Sequence, residues 1–123
     1  MPLVPRLVLF GLLLAPFAAT AQPTFVTSFG GSDDDRPTAV AVAPDGTVYV
    51  AGSFERTVDF DPNDPADAED TRTAAGNTSD GYIASYSADG AFRWVIALSG
   101  TSEDAVHDLA ADNDRVEVVG QFR

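Results

Sequence analysis

The chain has 123 residues, enough for one small domain, and carries 19 acidic against 7 basic residues, a net charge of −12. This acidic balance argues against nucleic acid and against an anionic membrane surface as partners. The sequence contains no cysteine, so neither disulfides nor thiolate metal sites are expected to hold it together.

The first 21 residues predict a secretory signal peptide. A short basic head ending at Arg6 precedes the apolar run 7–18, and Ala19-Thr20-Ala21 supplies the small residues that a signal peptidase reads. The apolar run is shorter than the ~20 residues that span a bilayer, and no second run follows, so no stable membrane span is expected. We therefore expect cleavage after Ala21 and a mature chain of residues 22–123 that is secreted, periplasmic or at the cell surface.

Short alternating segments separated by turn residues make up the mature chain. The segments 38–43 and 47–52 flank Pro44-Asp45-Gly46, the segments 81–86 and 91–98 flank Ala88-Asp89-Gly90, and the segments 106–111 and 115–120 flank Asp112-Asn113-Asp114. Such runs joined by tight turns are typical of antiparallel hairpins. Segments 24–29 and 57–60 predict two weaker strands, and no segment has a helical apolar period. The sequence thus predicts an all-β domain of about eight strands.

The sequence also repeats itself, at an offset of 69 residues that becomes 68 after one residue is lost near a turn. At the offset of 69 the equivalent residues are Phe25 and Trp94, Phe29 and Leu98, Gly31 and Gly100, Asp34 and Glu103, Asp35 and Asp104, and Val40 and Leu109. At the offset of 68 they are Val48 and Val116, Val50 and Val118, Gly52 and Gly120, and Phe54 and Phe122. Repetition at a fixed period is typical of folds in which neighbouring units bury each other's apolar faces.

The first unit has a recognisable order of motifs: Phe-Gly-Gly-Ser-Asp-Asp-Asp over 29–35, an alternating strand over 39–43, Asp45-Gly46, and Val-Tyr-Val-Ala-Gly-Ser-Phe over 48–54. This series resembles the bacterial β-propeller repeats called SBBP repeats, and segment 80–94 resembles the hairpin that closes each unit. The resemblance implies antiparallel four-stranded blades, about two of them in residues 22–123, with the remaining blades as partners that complete a ring. We therefore expect the chain to be the N-terminal part of a longer propeller.

An acidic loop is the sharpest candidate for a metal site. Oxygen-bearing side chains stand at positions 1, 3, 5, 9 and 12 of a twelve-residue window, namely Asp59, Asp61, Asn63, Asp67 and Asp70. This spacing suits Ca²⁺, which takes roughly six to eight oxygen ligands. Twelve-residue calcium loops have glycine at position 6 and glutamate at position 12, whereas this sequence has Asp64 and Asp70 at those positions. The alternative is a plain solvated loop with two Asx-Pro turns.

Two further features have both a functional and a structural interpretation. Asp33-Asp34-Asp35 and Glu103-Asp104 recur at one repeat position, so they predict either a cation site on one propeller face or carboxylates that accept backbone N–H groups at a corner, which is the commoner use. His107 is the only histidine, so it lacks the further nitrogen or sulfur donors that a zinc site needs. The Gly-x-Ser-x-Gly motif of serine hydrolases is also absent from the sequence. We therefore assign no catalytic residue.

The favoured hypothesis is a non-enzymatic exported propeller with a binding or scaffolding role. Its ligand is an unknown protein or glycan, and Ca²⁺ is the one cofactor that the sequence suggests. The alternatives are the N-terminal part of a propeller enzyme, a lyase or hydrolase, and a lectin-like carbohydrate binder, each with its site in blades outside this sequence.

Overall fold

A computed structural model describes residue 25, residues 27–64 and residues 67–123. These residues form eight strands and no helix, which confirms the all-β prediction. The strands are β1 (Arg36–Val42), β2 (Val48–Phe54), β3 (Thr57–Asp59), β4 (Thr71–Thr73), β5 (Asp80–Tyr86), β6 (Phe92–Leu98), β7 (Ala105–Ala111) and β8 (Val116–Gln121). The predicted signal peptide lies outside the described residues, within which no helix long and apolar enough to cross a membrane occurs.

All strand pairs are antiparallel, and they divide the chain into three sheets. β1, β2, β5 and β6 form a four-stranded sheet in the order β1-β2-β5-β6, β7 and β8 form a second sheet, and β3 and β4 form a hairpin inserted between β2 and β5. The eight strands are therefore split into four, two and two, whereas the sequence predicts about two four-stranded sheets.

The predicted strand over 24–29 is wrong for the residues described there. Phe25 and residues 27–29 belong to no strand, and Gly30 makes only an isolated bridge to Asp59. The apolar residues of this segment serve packing instead of a hydrogen-bonded ladder, since the Phe29 ring joins the aromatic core. Conversely, β4 is only three residues long, too short to show a period of two in the sequence.

The turns explain why the repeat offset changes from 69 to 68. The β1–β2 turn closes where Ala43 N–H donates to the Thr47 carbonyl at 2.9 Å, and Gly46 takes a φ of 88° that favours glycine. The β7–β8 turn closes where Asp112 N–H donates to the Arg115 carbonyl at 3.0 Å. The second turn holds one residue fewer between its closing pair, so the deletion lies entirely in the turn and leaves both strands intact.

The hairpins β1–β2 and β7–β8 have the same pairing register under these offsets. Ala39 lies opposite Ala51 in the first, and the equivalent Asp108 lies opposite Val119 in the second. Each hairpin has a register shift, a β-bulge, immediately before that pair. The sequence repeat is therefore a repeat of backbone geometry, down to the position of the irregularity.

An aromatic core covers one face of the four-stranded sheet. It contains Phe54, Tyr82 and Tyr86 from the sheet, and the inserted segment contributes Val58 and Phe60 from above it. These side chains are all nearly inaccessible, 0–1% exposed. The β3–β4 insertion is thus held to the sheet by burial of large apolar side chains, the dominant favourable term in folding.

A second core lies between the two sheets. Ala51, Ile83 and Tyr49 on the opposite face of the four-stranded sheet pack with Val106 and Leu109. β7 packs across β1, β2 and β5, so the second sheet is stacked face to face on the first.

The first unit, which contains the four-stranded sheet, and the second unit, which contains β7 and β8, stack in the same sense. Val40 and Val42 lie on the face of β1 turned away from the second core, and they are 66% and 61% exposed. Their equivalents Leu109 and Ala111 lie on the face of β7 that packs against the first sheet. We call this face of either unit its back face and the opposite one its front face. The back face of the second unit covers the front face of the first, and the back face of β1 remains open.

Candidate functional site

A polar cleft of about 290 Å³ opens where the two units meet, beside the start of β1 and the end of β2. It is lined by Asp34, Arg36, Ser53, Glu55, Ser79, Glu103, Ala105, His107 and Gln121. Three pairs among these residues are repeat equivalents, because Asp34 matches Glu103, Arg36 matches Ala105, and Ser53 matches Gln121. The stacking of two units therefore builds most of the cleft, six of its nine lining residues, from the same positions of each.

The charge of the cleft is predominantly negative. Asp34, Glu55 and Glu103 contribute carboxylates, and Arg36 contributes a guanidinium. The Arg36 Nη2 atom lies 3.2 Å from Asp34 Oδ2, with both side chains at least 70% exposed, so this ion pair adds little stability. Charged groups held in a solvent-accessible cleft favour polar ligands over apolar ones.

Residues 68 apart hold the walls of the junction together. The Thr38 hydroxyl donates to the Val106 carbonyl at 2.5 Å, and the Ala51 carbonyl is 3.2 Å away. At the other end of the strands, Asp45 N–H donates to Asn113 Oδ1 at 3.0 Å. Both bonds tie one unit to the other, the first within β1 and the second at the β1–β2 turn, so the relative placement of the cleft walls is set at both ends of the strands.

The recurring acidic pairs mainly serve local hydrogen bonding. Asp35 Oδ2 accepts the Gly31 N–H at 2.6 Å, and Asp104 Oδ1 accepts the Arg123 N–H at 2.6 Å. Asp33 instead pairs with Arg56, whose Nε lies 2.9 Å from Asp33 Oδ2. The structure therefore places Asp35 and Asp104 at corners of the chain, while only Asp34 and Glu103 line the cleft.

The carboxylates of the acidic loop bond to the loop's own backbone. Asp59 Oδ1 accepts the Asp61 N–H at 2.9 Å, Asp61 Oδ1 accepts the Asn63 N–H at 3.3 Å, and Asp67 Oδ1 accepts a backbone N–H two residues on at 2.8 Å. These are Asx turns. Residues 65 and 66 lie outside the described part of the loop. Among the described residues no three acidic or histidine side chains converge in a way that fits a metal ion.

Asp70, the last of the proposed calcium ligands, is buried at the end of this loop, with 2% of its surface exposed. Burial and, to a smaller extent, the negative charge of Asp59 raise the pKa of the Asp70 carboxyl, while the Thr71 hydroxyl opposes the shift by donating to Asp70 Oδ1 at 3.2 Å. Asp70 is therefore a buried carboxyl group at the junction of the loop and β4.

Calcium is expected to leave the thermal unfolding midpoint unchanged, because no three acidic side chains of the described residues converge on one point. The measurement is thermal unfolding with Ca²⁺, with Mg²⁺ and with chelator. An increase of the midpoint with Ca²⁺ alone, by mass action on the native state, would contradict this expectation. Loss of that increase in Asp59→Asn, which retains the Oδ1 acceptor of the turn, would then locate the ion in the loop.

Sequence reasoning singled out only part of the cleft. The recurring acidic pairs and the single histidine point to Asp34, Glu103 and His107, whereas nothing in the sequence marks Ser53, Glu55 and Ser79 as site residues. Their presence in one cleft follows from the stacking of the units. The one sequence signal that identifies some of the missed positions is the repeat itself, which places Ser53 on Gln121.

No protein-family model matches the chain. The regulatory protein FlaEY of Caulobacter vibrioides is similar to it, 31% identical over 107 residues, which cover 87% of this chain and 11% of FlaEY. The chain therefore spans about a tenth of the length of this relative. No solved structure matches.

Proposed function

We propose that this chain is an exported, non-enzymatic repeat protein of the β-propeller type, with a binding or scaffolding role at the cell surface or outside the cell. The observation that supports the proposal is the stacking of two units in the same sense, back face on front face, with matching registers and bulges. A rotational series of such units is the arrangement of propeller blades, in which successive sheets bury each other's faces.

The open back face of the first unit supports the same proposal. Val40 and Val42 are exposed apolar side chains at positions whose equivalents in the second unit are packed on a neighbouring sheet. In a ring of units, the last unit would cover them. The β3–β4 insertion covers the part of this face that belongs to β2, β5 and β6, so the uncovered part is confined to β1, which would lie closest to the axis of a propeller.

The cleft at the junction supports the binding role. Its lining is polar and comes from both units, so each further junction of the series would present a similar cleft with different side chains. Repeat proteins use such rows of inter-unit positions to bind extended ligands. A protein or a glycan, each rich in hydrogen-bonding groups, is the class of ligand that suits this lining. The similarity to a protein called regulatory is in keeping with binding as the activity.

Export is tested directly on the protein made by its native host. We expect the protein outside the cytoplasm with Gln22 as its first residue, because the basic head, apolar run and Ala19-Thr20-Ala21 form a signal peptidase substrate. The measurement is cell fractionation followed by mass determination of the N-terminal peptide. As a control, Ala21→Arg removes the small residue at the cleavage position and should leave the precursor uncleaved. Cytoplasmic protein that retains residues 7–18 would contradict the proposal.

A further inference from the structure

The polar cleft between the two units continues into a second hollow, and together they form one groove. The second hollow has a volume of about 220 Å³ and is lined by Glu55, Arg56, Gly76, Asn77 and Thr78. Glu55 lines both hollows, and Ser79 of the cleft directly follows Thr78 in the chain. The groove is therefore longer than the cleft alone, a shape that suits an extended ligand.

The two arginines of the groove are each paired with an aspartate of the same unit. Arg36 Nη2 lies 3.2 Å from Asp34 Oδ2, and Arg56 Nε lies 2.9 Å from Asp33 Oδ2. Each positive charge is thus offset by a carboxylate of the chain itself. The Arg36–Asp34 pair also shows that a guanidinium group fits against the carboxylates of the cleft.

Two glutamates carry the charge that remains. Within the described part of the chain, neither Glu55 nor Glu103 takes part in an ion pair. Glu55 is half-buried directly after β2 of the first unit, and Glu103 lies just before β7 of the second. Both line the cleft. Each unit therefore contributes one carboxylate without a basic partner to the same cleft, where charges interact more strongly than on an open surface.

We propose that the cleft binds a lysine or arginine side chain of an extended protein segment, with Glu55 and Glu103 as the groups that receive its charge. The inference rests on the binding role proposed for this cleft and specifies its ligand as a basic protein segment. Carboxylates form their strongest hydrogen bonds with guanidinium and ammonium groups. The rest of the segment would lie in the second hollow, where the Asn77 side chain offers both a donor and an acceptor to a peptide backbone.

The lining of the groove disfavours a glycan as the ligand. Neither hollow is lined by a phenylalanine, tyrosine or tryptophan, so the apolar face of a sugar ring finds no aromatic ring on which to stack. A neutral sugar also leaves the charges of Glu55 and Glu103 without a counter-charge, and an acidic sugar is repelled by them.

The charge of the whole chain acts in the same direction. Its net charge of −12 attracts a basic partner before contact and raises the rate of association. Because this long-range attraction comes from every acidic residue, a test of the proposal has to separate it from recognition by the two glutamates of the cleft.

Three probes added to the purified chain test which chemistry the groove recognises. The first is a short capped peptide of alternating arginine and serine, the second has citrulline in place of each arginine, and the third is the neutral oligosaccharide cellohexaose. Citrulline has nearly the shape of arginine but no charge. We expect the arginine peptide alone to shift the amide NMR signals of groove residues saturably, and added salt to weaken its binding.

The four glutamates of the chain provide matched variants. Glu55→Gln and Glu103→Gln are each expected to raise the Kd of the arginine peptide about two- to fivefold, as for a solvent-accessible ion pair. Glu69→Gln and Glu117→Gln remove the same charge from exposed positions outside the groove and should change the Kd less. Unfolding curves establish that each variant is folded.

Three results would overturn the proposal: no response to the arginine peptide, equal binding of the citrulline peptide, or an equal effect of all four substitutions. The last of these would show that only long-range attraction operates. Groove signals that respond to cellohexaose alone would also overturn it, but would leave the proposed binding role intact. Cytoplasmic retention of the protein would instead overturn the proposed function itself.

Discussion

Replacement of Phe60 by alanine is expected to lower the free energy of unfolding by about 3–5 kcal/mol. The Phe60 side chain is fully buried. Its ring centroid lies 5.1 Å from that of Phe29, 5.8 Å from that of Phe54 and 5.0 Å from that of Tyr82. Removal of the ring leaves a cavity at the centre of the aromatic core and detaches the insertion from the sheet. The measurement is urea unfolding followed by far-ultraviolet circular dichroism.

Two matched variants separate the contribution of the Phe60 ring from other effects. Phe122→Ala removes the same side chain from a position that is 49% exposed, so its effect should be much smaller. Tyr86→Phe keeps the packing but removes the hydroxyl that donates to the Phe60 carbonyl at 2.8 Å, a loss of about 1–3 kcal/mol for a buried acceptor left without its partner. Equal destabilisation by Phe60→Ala and Phe122→Ala would show that the aromatic core does not dominate stability.

Gly52→Ala is expected to destabilise the four-stranded sheet by about 3 kcal/mol or more, the upper range for overpacking. A methyl group on Gly52 would overlap the carbonyl oxygen of Arg36 and would lie 2.9 Å from the Cα atom of Pro37. Both are backbone atoms at the bulge of β1, so no rotamer change relieves the overlap. The equivalent change Gly120→Ala meets the carbonyl of Ala105 in the same way and should weaken the β7–β8 pair.

Gly76→Ala is the control for the glycine variants. Gly76 has a φ of 64° with no atom within 4 Å of the added methyl group, so only the left-handed conformation is strained, by about 1–2 kcal/mol. Urea unfolding of the three variants gives the comparison. If Gly52→Ala were no more destabilising than Gly76→Ala, the close approach of β2 to the bulge would not be a determinant of the fold.

The class of fold and the repeat can be derived from the sequence alone. Segments of alternating apolar residues between Asp-Gly turns predict hairpins, because strand period and turn chemistry are local properties that each segment carries alone. The offset of 69 residues, changing to 68, likewise predicts that β7–β8 copies β1–β2, and the matching registers agree with it. Weak local signals were less informative: Phe29 lies in a segment that resembles a strand, yet its ring packs in the aromatic core while its backbone joins no ladder.

The hydrogen bonds of the acidic residues and the place where the units meet came from the tertiary structure. Asp59, Asp61 and Asp67 have the spacing of a calcium loop, and the structure adds that each of these carboxylates accepts a backbone N–H, a contact that the spacing does not specify. The cleft and the open back face of β1 both depend on how one unit is placed against the next. That placement follows from burial of apolar faces that belong to strands distant in the sequence, such as β2 and β7, and no single segment of the sequence contains this information.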